Sequence, residues 1–178
     1  MQESTAAPDA IVTRRLMGHR VGDDDLEYLL EVDRDIRIAQ WLSGEIQSPE
    51  QSRARLGRWV RMWEETGKGF WIFQDSDGCI IGHGGLFNSP REAGEVEVGY
   101  VIKPAYWGRG LATEITIAAL KVGFESLDLH RIIAIAQPTN APSRRVMEKC
   151  GMIFETEILS ANGLTSVRYA IDNTMCLA

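Results

Sequence analysis

The chain has 178 residues, 44% hydrophobic and 25% charged, with a formal net charge of −6. That length suits one globular domain with a sizeable core, and the acidic balance excludes strong sequence-independent binding to nucleic acid. No apolar run is long enough to cross a bilayer, so no membrane partner is expected, and Cys79, Cys150 and Cys176 lack metal-ligand or disulfide-framework spacing, which points to a reducing, cytoplasmic compartment.

The opening MQESTAAPDA has no apolar signal core and reads as a disordered tail over 1–10, with a single domain over 11–178. Ile11 to Met17 alternates as a first strand, which Gly18 and Gly22 break. Asp23, Asp24 and Asp25 offer cap oxygens and first-turn negative charge to a helix through Leu26, Leu29, Leu30 and Asp33. A broken helical piece follows from Arg34 to Leu42. Ser48-Pro49-Glu50-Gln51 is a helix start, with a capping hydroxyl, Pro at the first helical position and Gln at the third. That helix carries Leu56, Trp59, Val60 and Trp63 on one face and ends near Gly67. Arg53, Arg55, Arg58 and Arg61 are expected on its solvated face.

Gly69 to Gln74 and Cys79 to Phe87 read as the strands of a hairpin turned by Asp75-Ser76-Asp77-Gly78. Gly82, Gly84 and Gly85 mark a bend or a close approach. After a loop over Asn88 to Gly94, a strand begins at Glu95 and stops at Pro104, which has no N–H to give. Leu111 to Phe124 is an amphipathic helix with Ile115, Ala118, Ala119, Val122 and Phe124 mostly inward. Arg131 to Gln137 is apolar enough to be a central strand, so the strand–helix–strand unit implies a parallel pair and a right-handed crossover. Asn140 caps a last helix that Gly151 ends, and Ile153–Ser160 with Leu164–Asp172 forms a closing hairpin around Asn162-Gly163.

The chemistry concentrates between Val98 and Glu114. A strand that feeds a small-residue loop and then a helix N-terminus offers unpaired N–H groups and the positive end of a dipole. Arg109 adds a planar donor fork. A pyrophosphate fits there, and the plainer alternative is an ordinary turn with glycines for geometry. A P-loop is excluded, because Leu111-Ala112 stand where Lys-Ser/Thr is needed. A dinucleotide fingerprint fails at Thr113, where a third small residue belongs, and at His130-Arg131, about 20 positions on, where an acidic residue belongs.

Trp107-Gly108-Arg109-Gly110-Leu111-Ala112 resembles the Gln/Arg-x-x-Gly-x-Gly/Ala acyl-CoA loop of the GNAT superfamily of N-acetyltransferases, with Trp107 replacing Gln or Arg. Tyr106 before it and Thr113-Glu114 after it resemble the RimJ/RimL branch. A second stretch, Asn140-Ala141-Pro142-Ser143 through Glu148-Lys149-Cys150-Gly151-Met152, is similar to the family's Asn-x-x-Ser/Ala helix start and Glu-Lys-x-Gly-Phe ending. Met152 departs from that Phe, which either falls at Phe154 or is replaced. The resemblance implies a single α/β (α+β) domain: a mixed, mostly antiparallel sheet of about six or seven strands, flanked by helices. The sheet should be splayed at its centre, where the strands from Glu95 and Arg131 part. It implies acetyl-CoA as co-substrate and no metal. The carrier would be held by Val101 and Ile102, by Trp107, Gly108, Arg109, Gly110, Leu111, Ala112 and Thr113, and by Asn140. An Asn amide offers donor and acceptor to a peptide-like arm, and it also suits a plain N-cap.

In the superfamily a tyrosine protonates the departing thiolate, and its position here is Met147, which has no proton to give. The branch places a serine one turn earlier, at Ser143, which is the candidate donor or else a first-turn serine bonding its own backbone. The acceptor amine must lose a proton. Glu95 and Glu97 share a face of a regular strand, and the bulge that the resemblance implies before Gly99 would break that parity. Burial beside a ligand raises a carboxylate pKa, so Glu97 is the candidate base, directly or through water, with Glu95 next. The plainer reading leaves both on the wet face of the sheet. By resemblance the acceptor pocket lies in the opening strand and helices, where Trp41, Trp59 and Trp63 line it or pack in the core. The implied reaction is acetyl transfer to a primary amine, a small molecule or a protein N-terminus; the resemblance is compatible with a homodimer, and the sequence leaves the oligomeric state open. A non-catalytic acyl-CoA sensor is the alternative, supported by Met147 alone.

Overall fold

Thr13 divides what alternation alone predicts as one strand over Ile11–Met17. Its backbone N–H donates to the Leu16 carbonyl at 2.9 Å and its hydroxyl oxygen accepts the Leu16 N–H at 3.0 Å, and these bonds turn the chain into a hairpin of β1 (Ala10–Val12) and β2 (Met17–Arg20). Gly18 is therefore no breaker. It lies inside β2, where a Cβ would stand 2.7 Å from the Phe73 ring. The computed structural model describes residues 6–159, 163 and 165–173, and with this hairpin its sheet has eight strands rather than six or seven. The tail is also shorter than 1–10 at its inner end. Ala7 is buried and donates to the Gly67 carbonyl at 2.8 Å, and the Pro8 carbonyl accepts from the Trp71 indole at 2.9 Å. Residues 1–5 lie outside the described residues.

The elements that follow are α1 (Leu26–Asp33), α2 (Ile36–Ala39), α3 (Pro49–Thr66), β3 (Phe70–Gln74), β4 (Ile80–Asn88), β5 (Val96–Ile102), α4 (Leu111–Glu125), β6 (Arg131–Ala136), α5 (Ala141–Lys149), β7 (Ile153–Leu159) and β8 (Thr165–Asp172). Local chemistry sets most of their ends. Ser48 Oγ accepts the Gln51 N–H while Gln51 Oε1 accepts the Ser48 N–H, a reciprocal cap, and Gly67 closes α3 in the left-handed conformation. Asn140 Oδ1 accepts the Ser143 N–H and caps α5. Asn162, expected at the tip of the closing hairpin, lies outside the described residues.

The strand order is β1-β2-β3-β4-β5-β6-β8-β7. Every neighbouring pair is antiparallel except β5 and β6, which run parallel and are joined through α4. β4 and β5 pair without a break from Gly82–Ile102 to Asn88–Val96, so the ladder carries no bulge before Gly99. β5 and β6 meet in register only at Glu97 and Ile133, and the sheet parts beyond that point. One apolar cluster includes Leu56, Trp59, Trp63, Trp71 and Phe73, and a second includes Leu86, Ala119, Ile132, Met147 and Met152. Met152 is 3% exposed and Phe154 47%, so Met152 itself fills the core position after Gly151.

The β4–β5 ladder is as close as glycine allows. A Cβ on Gly82 would stand 2.1 Å from the Val101 carbonyl oxygen, a backbone atom that cannot swing away. Gly82→Ala should therefore destabilise the fold by about 3 kcal/mol, the upper end of overpacking, and lower Tm by roughly 6–12 °C. Calorimetry checks this, and an unchanged Tm would mean that the strands separate freely at that position.

Candidate functional site

The loop between β5 and α4 is held open by two backbones that side chains avoid. Gly108 and Gly110 sit at φ of 75° and 74°, which explains glycine at both positions. The Trp107 indole N–H donates to the Ile102 carbonyl at 2.7 Å, so the residue that departs from the acyl-CoA loop pattern closes the end of β5. Arg109 is exposed, with its guanidinium 5.2 Å from the Tyr106 ring centre. Leu111 points into the core, while Ala112 and Thr113 are half-buried in the first turn of α4. The free N–H groups of that turn face the same loop, and this arrangement suits an anion.

A residue that the sequence did not single out braces the loop. Arg15, in the turn between β1 and β2, donates from Nε to Glu114 at 2.6 Å and from Nη1 to the Arg109 carbonyl at 2.9 Å. Glu114 also accepts the Arg15 N–H and the Thr13 hydroxyl. The first hairpin, the loop and the start of α4 are thus one unit.

Where β5 and β6 part, a cleft of about 740 Å³ opens. Trp41, Trp59, Phe70 and Phe87 line it together with Val98 to Val101, Ile135 to Thr139 and Met147. Trp59 therefore serves both core and cleft, Trp63 packs in the core, and Trp41 belongs to the cleft. The two glutamates separate. Glu97 lines the cleft at 2% exposure, accepting from Ser89 Oγ at 2.8 Å and Arg91 Nη2 at 2.6 Å. Burial pushes its carboxyl above the ordinary range, and Arg91 and Ser89 hold it part of the way down. Glu95 instead accepts from Arg131 at 3.3 Å, which also pairs with Glu155 and Asp172.

Tyr100 joins the cleft to α5. Its hydroxyl lies 2.9 Å from Ser143 Oγ, and burial pushes the phenol up to about 12, so it keeps its proton at neutral pH. Val101 and Ile102 complete that strand, buried and facing the core and cleft. Asn140 spends its amide oxygen on capping and keeps its amide N–H groups for another partner.

Four further cleft residues were not expected. Arg91, Tyr100 and His83 carried no local signal of a role, because each acts through a partner on another element. Arg55 was placed on a solvated face and is not there. It reaches the cleft and pairs with the buried carboxylate of Asp33, whereas Arg53, Arg58 and Arg61 are exposed. Among the described residues no group of His, Cys, Asp and Glu is placed to hold a metal, and no helix is long and apolar enough to cross a membrane.

Residues 15–153 match the acetyltransferase (GNAT) domain family. The uncharacterized N-acetyltransferase YnaD of Bacillus subtilis is 33% identical over 142 residues, covering 80% of this chain and 81% of YnaD. A solved GNAT-family acetyltransferase from Bacillus anthracis superposes with a TM-score of 0.79 at 28% identity, over 93% of this chain and 99% of its own. The ribosomal L7/L12 α-N-protein acetyltransferase RimL in complex with coenzyme A gives 0.78 at 15% identity, over 91% and 96%, a likeness of fold alone.

The Arg15 brace has a direct test. Arg15→Ala removes both side-chain contacts, so amide hydrogen exchange over Gly108 to Ala112 should speed up by about tenfold or more, as one or two lost hydrogen bonds would allow. Exchange in β5 should not change. Equal exchange in the loop would show that its glycine conformations hold without Arg15.

Proposed function

The chain belongs to the GNAT acetyltransferase family and is an N-acetyltransferase, and from that premise we propose that it moves acetyl from acetyl-CoA directly to a primary amine, a small molecule or a protein N-terminus, in the cytoplasm. The observation that carries this reading is that one cleft runs from the aromatic acceptor walls to the parted strands, with Glu97 and Tyr100 both on its lining. The Tyr106-Trp107-Gly108 sequence favours the RimJ/RimL-like branch, and the free thiols of Cys79 and Cys150 favour a reducing compartment.

The residues present suit the carrier. Backbone groups of β5 past Glu97 have no strand partner from β6, and a peptide-like pantetheine arm would supply one. The N–H groups from Gly108 to Thr113, with Arg109, would take the pyrophosphate, and the Asn140 amide N–H groups would take a pantetheine carbonyl. Bound acetyl-CoA supplies an activated acetyl thioester.

Glu97 accepts the proton that the ammonium must lose, directly or through one water, and burial lifts its pKa toward the range a base needs. The amine lone pair then attacks the acetyl carbonyl carbon, the C–S bond breaks with its electron pair leaving on sulfur as a thiolate, and the second proton that the acylated nitrogen sheds ends on that sulfur as the thiol. Ser143 Oγ, backed by the protonated Tyr100, donates a hydrogen bond to that thiolate. Little more is needed, since a thiol pKa near 8.5 makes sulfur a fair leaving group. Met147 is buried in the wall without a donor, so the Tyr100–Ser143 pair stands in for the tyrosine of other superfamily members. This weighs for catalysis over a sensor role.

Glu97→Gln should lower kcat by ~10²-fold at neutral pH and erase the acidic limb of the rate profile. Arg91→Ala tests the same group from the other side. Arg91 favours the charged carboxylate, so its loss raises the Glu97 pKa further, and the acidic limb moves to higher pH. A parental profile in both variants would return Glu97 to a structural role. Ser143→Ala should cost on the order of tenfold to a hundredfold in kcat with acetyl-CoA affinity nearly unchanged, the low end of acid–base effects. Full activity in Ser143→Ala would leave the thiolate to water.

A further inference from the structure

His83 is a buried histidine with one nitrogen to spare. It stands on β4 at 3% exposure and lines the cleft, with its Nδ1 2.8 Å from the Tyr28 hydroxyl. Its Nε2 has no hydrogen-bond partner among the described residues. Burial, aided by the charge of Arg55, pushes the imidazole down to about 3, so the ring is neutral. Burial raises the Tyr28 phenol, which keeps its proton. That hydroxyl has no other acceptor among the described residues, whereas His83 lines the cleft and its Nε2–H can be met there by a ligand or water, so the hydroxyl donates to Nδ1. The ring proton is thereby assigned to Nε2, a neutral N–H on the cleft wall with nothing to give to.

The other charges on the wall are already matched. Arg55 pairs with Asp33 and Arg91 with Glu97. Arg55 lies 5.0 Å over the Trp59 ring, and its Nε is buried without a partner. Among the described residues, a second ammonium on the acceptor would meet donors and no free carboxylate. A carboxylate would be buried without a free cation, and both cost more than a neutral group. On β4, His83 and Phe87 face the same way four residues apart, about 13 Å along the strand, and Phe87 pairs with Glu97. Phe70 lies between them, its ring centre 5.4 Å from His83 and 5.2 Å from Phe87. The cleft therefore has a basic carboxylate at one end, a neutral donor at the other, and aromatic walls between.

Resting on the acetyl-transfer reading above, we infer that the acceptor is a small monoamine with a flat apolar body and one neutral oxygen acceptor, which His83 Nε2–H binds at the far end from the amine. His83 is a specificity-determining residue in this account and takes no proton.

The test measures CoA thiol release from acetyl-CoA by the purified protein with five amines: phenethylamine, para-methoxyphenethylamine, phenylalanine, spermidine and an unblocked peptide. The methoxy compound should have the highest kcat/KM, roughly tenfold above phenethylamine, the worth of one neutral hydrogen bond. Phenylalanine and spermidine should fall below both. In His83→Phe the advantage of the methoxy compound over phenethylamine should vanish, and in His83→Gln, which keeps an N–H donor, part of it should remain. Equal rates for the two arylamines in the parent protein would overturn the inference whatever the variants do. Preference for spermidine, phenylalanine or the peptide would overturn it too, while leaving acetyl transfer standing. No release with any of the five would overturn the transfer reading and this inference with it.

Discussion

β5 loses its neighbour after Glu97. Its other edge is fully paired with β4 over seven positions, and β6 is fully paired with β8 over six, so neither strand has freedom to close the gap. An unpaired strand edge is normally shielded, because its N–H and C=O groups seek partners. Here it lies in the middle of the sheet and opens onto a cleft. The proposed function follows from that vacancy. In that proposal a ligand with amide groups along its length would complete the edge, and its reactive end would arrive where Glu97, Gly99 and Tyr100 meet.

The two ends of the proposed carrier site are fixed by different means. At the loop, left-handed glycines at 108 and 110 set the backbone, and Arg15 ties it to Glu114 across nearly a hundred residues of sequence. At the reactive end, the two sides of β5 divide the work. Glu97 and Gly99 pair with Phe87 and Gly85 and face the acceptor walls, whereas Tyr100 pairs with Gly84 and reaches Ser143 on α5. In the proposed reaction this one strand would present Glu97 to the amine and the Tyr100–Ser143 pair to the sulfur. A buried carboxylate is costly, and Ser89 and Arg91 offset much of that cost without removing the upward push on its pKa.

What the sequence revealed was what short spans determine. Ser48 and Gln51 cap a helix three residues apart, and Gly67 ends it. The Gly-x-Gly loop follows a strand that Pro104 stops. Those signals placed the helices, the loop and the parallel crossover. The hairpin within Ile11–Met17 was hidden, because Thr13 is a weak turn signal and alternation continues across it. Register was hidden as well. Glu95 and Glu97 look equivalent in sequence, and only the pairing of Glu97 with Phe87 and of Glu95 with Arg131 tells them apart. Arg55 looked like one arginine of a solvated face, since its partner Asp33 lies on another helix. His83, alone among glycines, had no pattern to announce it. The Trp107 departure became intelligible once its indole was seen on the Ile102 carbonyl.

The most direct measurement is a crystal structure of the protein with CoA bound. The account predicts the pantetheine arm between β5 and β6, hydrogen-bonded to the backbone from Gly99 to Ile102, with its sulfur beside Ser143 and its pyrophosphate on the N–H groups from Gly108 to Thr113. CoA bound elsewhere, or a gap closed by strand pairing with the carrier outside it, would contradict the account.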